Sequence, residues 1–557
     1  MSHSLVPLFV LALLVGPCTQ AGAQAQSDTT RRISVDEAVR LALEQNLGIA
    51  IERLNPQIQD VSIAQARSYW RPVVSSTLQN NSQHSPPTSA LAGGQTKIVD
   101  TRFSTQLGVT QVLPTGASYS FAWNTARSTT TNLFTNFNPL LNSNVAFSFT
   151  QPLLRNRTID AYRQQLEVSR KDRAAADVSL RATMASTSRN VKNAYWDLVS
   201  ARDNLDAQQR SLDLSKRALA DNEKRVQIGT MAPIDIVEAQ AEVARNEEAA
   251  IVAEAAITQA EDRLRTLVFD PSNPEFWTQS IEPTEAMPFE PIEVDVQGAV
   301  RRAVENRTDV HLARTSLERS EVYLRYFRGQ TLPEINANLS YQSNAVGGIF
   351  LSPLTSFPID GSPVQRSVLS RSGYGSVIGD VFSNQFPTWT VGVTMSYPIG
   401  ASTQEASLAR ARLQYQQAQR QLQNLELQIA AQVRDAARQV QTNQKRVDSA
   451  RAARDLAEQR LAAEQKKFAA GIQISFFVFQ AQRDLAQART NEIKAIADYN
   501  KSIVDFEAIQ ETSLTGATTL TTAGAATSAL GTTLVPGLTG TTSTTGGTGT
   551  TTGTAAR

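Results

Sequence analysis

Residues of the types that carry covalent chemistry are scarce in this chain. Its histidines are His3, His84 and His311, and its one cysteine is Cys18. Three scattered histidines leave little material for a His-based metal site or for acid–base catalysis. One cysteine near the N-terminus excludes a disulfide scaffold, a Cys-rich zinc site and an iron–sulfur cluster. His311 stands beside Asp309 in a helical pattern, yet no motif places a nucleophile near it. It reads as a surface or packing histidine. No G-x-S-x-G, Walker or H-E-x-x-H motif occurs, so neither an enzyme nor a cofactor is expected. The side chains left to consider act by charge and bulk. Asp235 and Glu238 are three apart, so both carboxylates can share one helix face. They form either a cation-attracting pair or a solvated acidic turn. Phe476 and Phe477 are adjacent, with Gln480 just beyond, and clustered rings can exclude water and ions.

Lys and Arg number 53 against 52 Asp and Glu, which opposes a nucleic-acid partner held by a basic face. A length of 557 suggests three or four domains at about 150 residues each, but 6% aromatic residues are a thin supply for so many cores. Leu5 to Val15 is an apolar run of eleven residues followed by Ala21-Gly22-Ala23, the pattern of an export leader over 1–23, with Ala25 as the alternative cleavage point. The leader lacks Lys and Arg before its apolar run. Lipidation of Cys18 meets Pro17 directly before it, a poor fit. Past the leader there is no apolar run of about 18 residues, so no transmembrane helix is expected. A membrane β-barrel stays open, since its strands are short and alternate.

The chain is written twice. Ala38-Val39-Arg40, Ala42, Glu44 and Pro72 return as Ala299-Val300-Arg301, Ala303, Glu305 and Pro333, at an offset of 261. Gly229 and Gln240 return as Gly471 and Gln482, at an offset of 242. Each half reads helix, strand, long loop, strand, very long helix, tight turn, helix. The long helices carry heptads: Val191, Leu198, Leu205, Leu212, Leu219 and Val226, then Val433, Val440, Val447, Arg454, Leu461 and Phe468. Such a stripe specifies a left-handed supercoil, with Arg454 its one break. From about Asp160 to Ile228 the rod would be roughly 100 Å long. Gly229 with Pro233, and Gly471, mark the turns.

Strands show the other period. Trp389, Val391, Val393, Met395 and Tyr397 alternate with small polar residues, as do Val145, Phe147 and Phe149. Alone this is a half-buried soluble strand. Beside 100 Å rods in an exported chain it suits an outer-membrane strand, apolar toward lipid and polar toward a lumen. Strands are expected at 72–81, 143–152, 334–343 and 389–398. An alternating hairpin at 103–124 has no counterpart in the second half and is read as part of an extracellular loop, ahead of the alternative that it adds barrel strands; 344–388 is read as extracellular too. Four strands cannot close a barrel, and open edges are not tolerated in lipid, so several chains must contribute. Two would give a filled eight-stranded barrel, three a twelve-stranded one with a lumen. The tail over 511–557 holds 19 Thr and 9 Gly and should be disordered. The domains expected are the leader, a first repeat at 33–270, a linker at 271–294, a second repeat at 295–510, and the tail.

Three segments resemble the TolC-like outer-membrane efflux proteins. Ser34 to Leu43 resembles their opening helix, Phe149 to Arg155 their strand-to-helix junction, and Gln480 to Glu492 the start of their last return helix. The resemblance implies a homotrimer, with a twelve-stranded β-barrel in the outer membrane and a twelve-helix periplasmic α-barrel. It implies an exit duct that carries small molecules or proteins, docked to a periplasmic adaptor and an inner-membrane pump. The adaptor contacts would fall at Gly229, Thr230, Gly471 and Ile472. Family members commonly narrow the periplasmic mouth with carboxylates just past the second-repeat turn. Here Phe477 and Gln480 occupy those positions, and the acids are Asp235 and Glu238 of the first repeat. The expected gate is therefore an aromatic constriction of Phe476 or Phe477, with any acidic ring secondary. A passive porin leaves the rods unexplained, and a structural coiled coil leaves the strands unexplained.

Overall fold

Residues 30–87, 96–272, 276–354 and 366–512 are described by the computed structural model. The leader with Cys18, and the tail past residue 512, lie outside the described residues.

The first half opens with β1 (Thr30–Ile33), α1 (Val35–Gln45), α2 (Leu47–Glu52) and α3 (Leu54–Ser68). Four strands follow: β2 (Val73–Ser85), β3 (Ile98–Val112), β4 (Ser118–Thr130) and β5 (Phe137–Pro152). It closes with α4 (Ala161–Gln227) and α5 (Ile234–Val268). In the second half, β6 (Ser280–Pro283), α6 (Val296–Asn306) and α7 (Thr308–Gln330) lead to β7 (Glu334–Leu351). Then come β8 (Val368–Arg371), α8 (Tyr374–Phe382), β9 (Pro387–Ser396), α9 (Thr403–Ala469) and α10 (Ser475–Ala508).

Helix starts are written in the sequence. Ser34 accepts from the Glu37 amide at 3.3 Å, Asp160 from the Arg163 amide at 2.7 Å, and Ser402 from the Glu405 amide at 3.2 Å. Each satisfies a donor that a helix start leaves open. The helices α4 and α9 have 67 residues each, so each is about 100 Å long. Their heptad positions are unevenly covered. Val191 and Leu198 are fully buried, because α1, α5 and the β1–β6 pair close over them with Ile33, Leu41, Leu264 and Ile281. Leu205, Leu212 and Leu219, farther along the rod, are half-buried. Tyr195 sits in the covered part. Its hydroxyl donates to the Ile33 carbonyl at 3.2 Å and accepts from the Glu285 amide at 3.3 Å, and burial pushes the phenol above its usual range. In the second half Ala299, Ala303 and Val310 cover Ile429 and Val433 in the same way. Arg454 breaks the stripe without breaking the seam, since it pairs with Glu492 on α10 at 3.4 Å.

The main sheet is antiparallel, in the order β2-β3-β4-β5-β7, with β9 on the far side of β7 and β8 extending the end of β7. This corrects two expectations. Among the described residues the chain contributes six long strands rather than four, and 103–124 belongs to the sheet rather than to an extracellular loop. The hairpin turn holds the Leu113 amide on the Ala117 carbonyl at 2.7 Å and lies at the helical end of the sheet. There a Cβ on Gly116 would stand 2.8 Å from the Asn156 carbonyl and 3.0 Å from Arg163. Segment 344–351 likewise continues β7.

Register explains why the hairpin fits. Val109, Phe121, Phe147, Tyr341 and Trp389 follow one another across five strands on one face. Gln106, Asn124, Asn144 and Asn344 do so on the other. The polar face is tied across strands by Ser120–Ser148 at 2.6 Å, Asn124–Asn144 at 2.8 Å and Asn338–Thr394 at 3.1 Å. Among the described residues no helix is long and apolar enough to cross a membrane.

Candidate gate at the helical hairpin tips

The two long helices end alike. Gly229 has φ +77° and Gly471 φ +76°, a region that costs other residues about 1–2 kcal/mol. Thr230 and Ile472 donate their amides to Arg225 and Lys467 carbonyls, while Gly229 and Gly471 donate to Val226 and Phe468. Both turns are therefore Schellman caps, which satisfy carbonyls the helix leaves open. A Cβ on either glycine would meet no atom within 4 Å, so backbone conformation alone demands glycine. The tips are open to solvent, with Ile228 and Ile472 about three-quarters exposed.

Behind the tips the hairpins α4–α5 and α9–α10 are clamped to one another. The Arg225 guanidinium lies 4.7 Å from the Phe468 ring centre. Ser475 donates to Asp235 at 3.0 Å. Arg483 donates to Glu242 at 2.9 Å, with Arg245 on the same carboxylate oxygen at 3.6 Å. The Glu242 side chain is only 4% exposed, so these two cations are what its burial depends on.

Each residue expected at the tips or the gate now has a place. Gly229, Thr230, Gly471 and Ile472 form the exposed tips. Phe476 and Phe477 are exposed, their rings edge to face at 5.6 Å, while Val478, Ala481 and Leu485 on the other side of α10 pack into the α9 seam. Gln480 is half-buried. The structure brings Asp235 to the residue before Phe476, and it holds Glu238 out in solvent. Sequence reasoning missed the Glu242–Arg483 and Arg225–Phe468 contacts. One signal was available: Glu242 falls three residues after the buried Ala239, a carboxylate on the apolar stripe of α5. Among the described residues no group of three His, Cys, Asp or Glu side chains could hold a metal ion.

The family model described as outer membrane efflux protein matches residues 38–268 and 299–509. Among solved structures the chain is similar to the CmeC outer membrane channel of Campylobacter jejuni, with TM-score 0.58 and 14% identity over 86% of this chain and 85% of that one. It is similar to the open-state MtrE outer membrane channel of Neisseria gonorrhoeae, with TM-score 0.58 and 16% identity over 86% and 89%. It is also similar to CusC, with TM-score 0.60 and 13% identity over 89% and 99%. At these identities the likeness is one of fold. No curated protein matches the chain.

Proposed function

Because the chain belongs to the outer membrane efflux protein family, whose members are channels rather than enzymes, we propose that it is the exit duct of a tripartite export system. The observation that carries this reading is a sheet with one apolar and one small polar face, from one end of which two 67-residue helices depart. A passive porin has no use for rods of that length. The reading places the sheet in the outer membrane and the helices in the periplasm. The leader at 1–23 directs export.

The sheet has two outer strands, β2 and β9, with every β2 residue except Ser85 and every β9 residue except Gly392 exposed. Strand directions alternate across all six strands, so β9 of one copy can pair antiparallel with β2 of the next. A homotrimer then closes eighteen strands, not the twelve implied by the resemblance. Barrel diameter grows roughly in proportion to strand number, which widens the duct about one and a half times. Docking of a periplasmic adaptor, and through it an inner-membrane pump, falls to the tips at Gly229, Thr230, Gly471 and Ile472. Phe476 and Phe477 narrow the mouth, with Gln480, Asp235 and Glu238 around them.

The test is fractionation followed by native mass measurement and an export assay. The protein should be recovered from the outer membrane as a trimer without its leader, and deletion should abolish export through its pump. A soluble periplasmic monomer would overturn the reading. An outer-membrane trimer whose loss leaves export intact would support the porin instead.

A further inference from the structure

Helix α8 lies on the apolar face of the sheet, near the end far from the long helices. Val377 and Val381 are buried against Leu141 and Ala345. Gly347 makes the room, since a Cβ there would stand 2.5 Å from Val377 Cγ2 and 2.9 Å from Ser372 Cβ. Ser343 donates to the Val381 carbonyl at 2.6 Å, one of the acceptors the helix end leaves open. The Tyr341 hydroxyl meets Asn384 just past the helix. Leu141, Tyr341, Ser343, Ala345 and Gly347 share their face with Phe147 and Trp389, so α8 rides the outer wall and not the polar face.

The rest of its surface is divided lengthwise. Tyr374, Ile378 and Phe382 recur every four residues and form one flank. Ser376, Asp380 and Ser383 fall roughly 170° away at about 100° per residue. Gly375 and Gly379 face outward, with open space around them. Phe382 is 72% exposed. Beneath the helix the apolar band runs out. On β4, Tyr119, Phe121 and Trp123 are followed on the same face by Thr125 and the exposed Arg127, which pairs with Leu141 under α8.

The contacts run α8 down β7, with Ser372 at Gly348, Val381 at Ser343 and Asn384 at Tyr341, and we infer that α8 is an interfacial helix inclined along the barrel wall, its lower end at Phe382 in the acyl chains of the outer leaflet and its upper end at Ser376 in water. Its apolar flank suits it to the headgroup boundary, and the assignment rests on the barrel reading above. Lipid is the occupant because α8 continues the lipid-facing wall. A second copy would arrive at the edges β2 and β9, whereas α8 sits over β5 and β7.

The test uses the mature trimer in phospholipid vesicles, which holds no cysteine once the leader is removed, with an environment-sensitive fluorophore on Phe382→Cys, Ser376→Cys or Val393→Cys. Ile378→Cys, on the same flank one turn above Phe382, is a second label should the first disturb folding. A nitroxide lipid should dim the Phe382 and Val393 labels alike and spare Ser376, and aqueous iodide should do the reverse. If iodide reaches Phe382 as readily as Ser376 while Val393 stays in lipid, the barrel stands and the α8 assignment falls. A Phe382 label deaf to both quenchers means protein covers it, which also overturns the proposal. Iodide quenching at Val393 would sink the barrel reading itself.

Discussion

Which face of this sheet a residue stands on, and so whether it would meet lipid or water in the proposed barrel, turns on odd or even position. Val393 pairs with Ala337 and Thr394 with Asn336, so sequence neighbours stand on opposite faces. Val393→Arg should cost about 2–4 kcal/mol near the bilayer midplane, because a cation there has no water. Thr394→Arg should be tolerated, since the polar face leads to a lumen. Heat-modifiable trimer counted on gels measures both, and equal losses would overturn the assignment of faces. This much was legible in the residues, because a period of two is a local property. The partners of the gate residues were not. Glu242 and Arg483 lie 241 positions apart, and only the contact between two hairpins joins them.

Elements were legible in proportion to how local their signals are. Heptads and the glycines at φ near +76° gave the long helices and their turns, since caps are decided within one turn. The β3–β4 hairpin alternates as clearly as its neighbours, but its place is set by pairing with β2 and β5, and the duplicated second half offers no counterpart. Excising 98–130 would leave β2 and β5 antiparallel and able to pair. Trimers lacking the hairpin should still assemble, with twelve strands and roughly half the open-state conductance if lumen area follows the square of diameter. Absence of any trimer would mean that the hairpin turn, packed on Asn156 and Arg163, is needed to hold the strand-to-helix junction. The tips pose a sharper question, because a Schellman cap can also be a contact. Asp tolerates the left-handed region better than most residues, so Gly471→Asp should keep the cap and the trimer. Export should nonetheless be lost, because the open space around Gly471 is where an adaptor would close. Normal export by that variant would leave capping as its only role.

For the whole molecule the two halves of the duct must share a bore. In the proposed trimer, three chains with four helices in cross-section would set twelve helices of about 10 Å side by side, a ring of about 120 Å. The eighteen strands of that proposal, about 4.8 Å apart and tilted about 40°, would make a ring of about 110 Å. The barrel then imposes no bottleneck, and control passes to the far end of the rods. There Phe476 and Phe477 stand exposed next to Ser475, which anchors Asp235 across the hairpins. Three copies of this pair at the axis would exclude water, so the resting channel should conduct poorly in planar bilayers. Phe476→Ala with Phe477→Ala removes the rings and leaves the Ser475–Asp235 bond, so resting conductance should rise several-fold. Asp235→Ala keeps the rings and removes three carboxylates from the mouth, so it should lower cation selectivity and leave conductance low. If the double variant conducts like the parent, the constriction is formed by other residues. If Asp235→Ala alone opens the channel, the clamp between hairpins is the gate and the rings only line it.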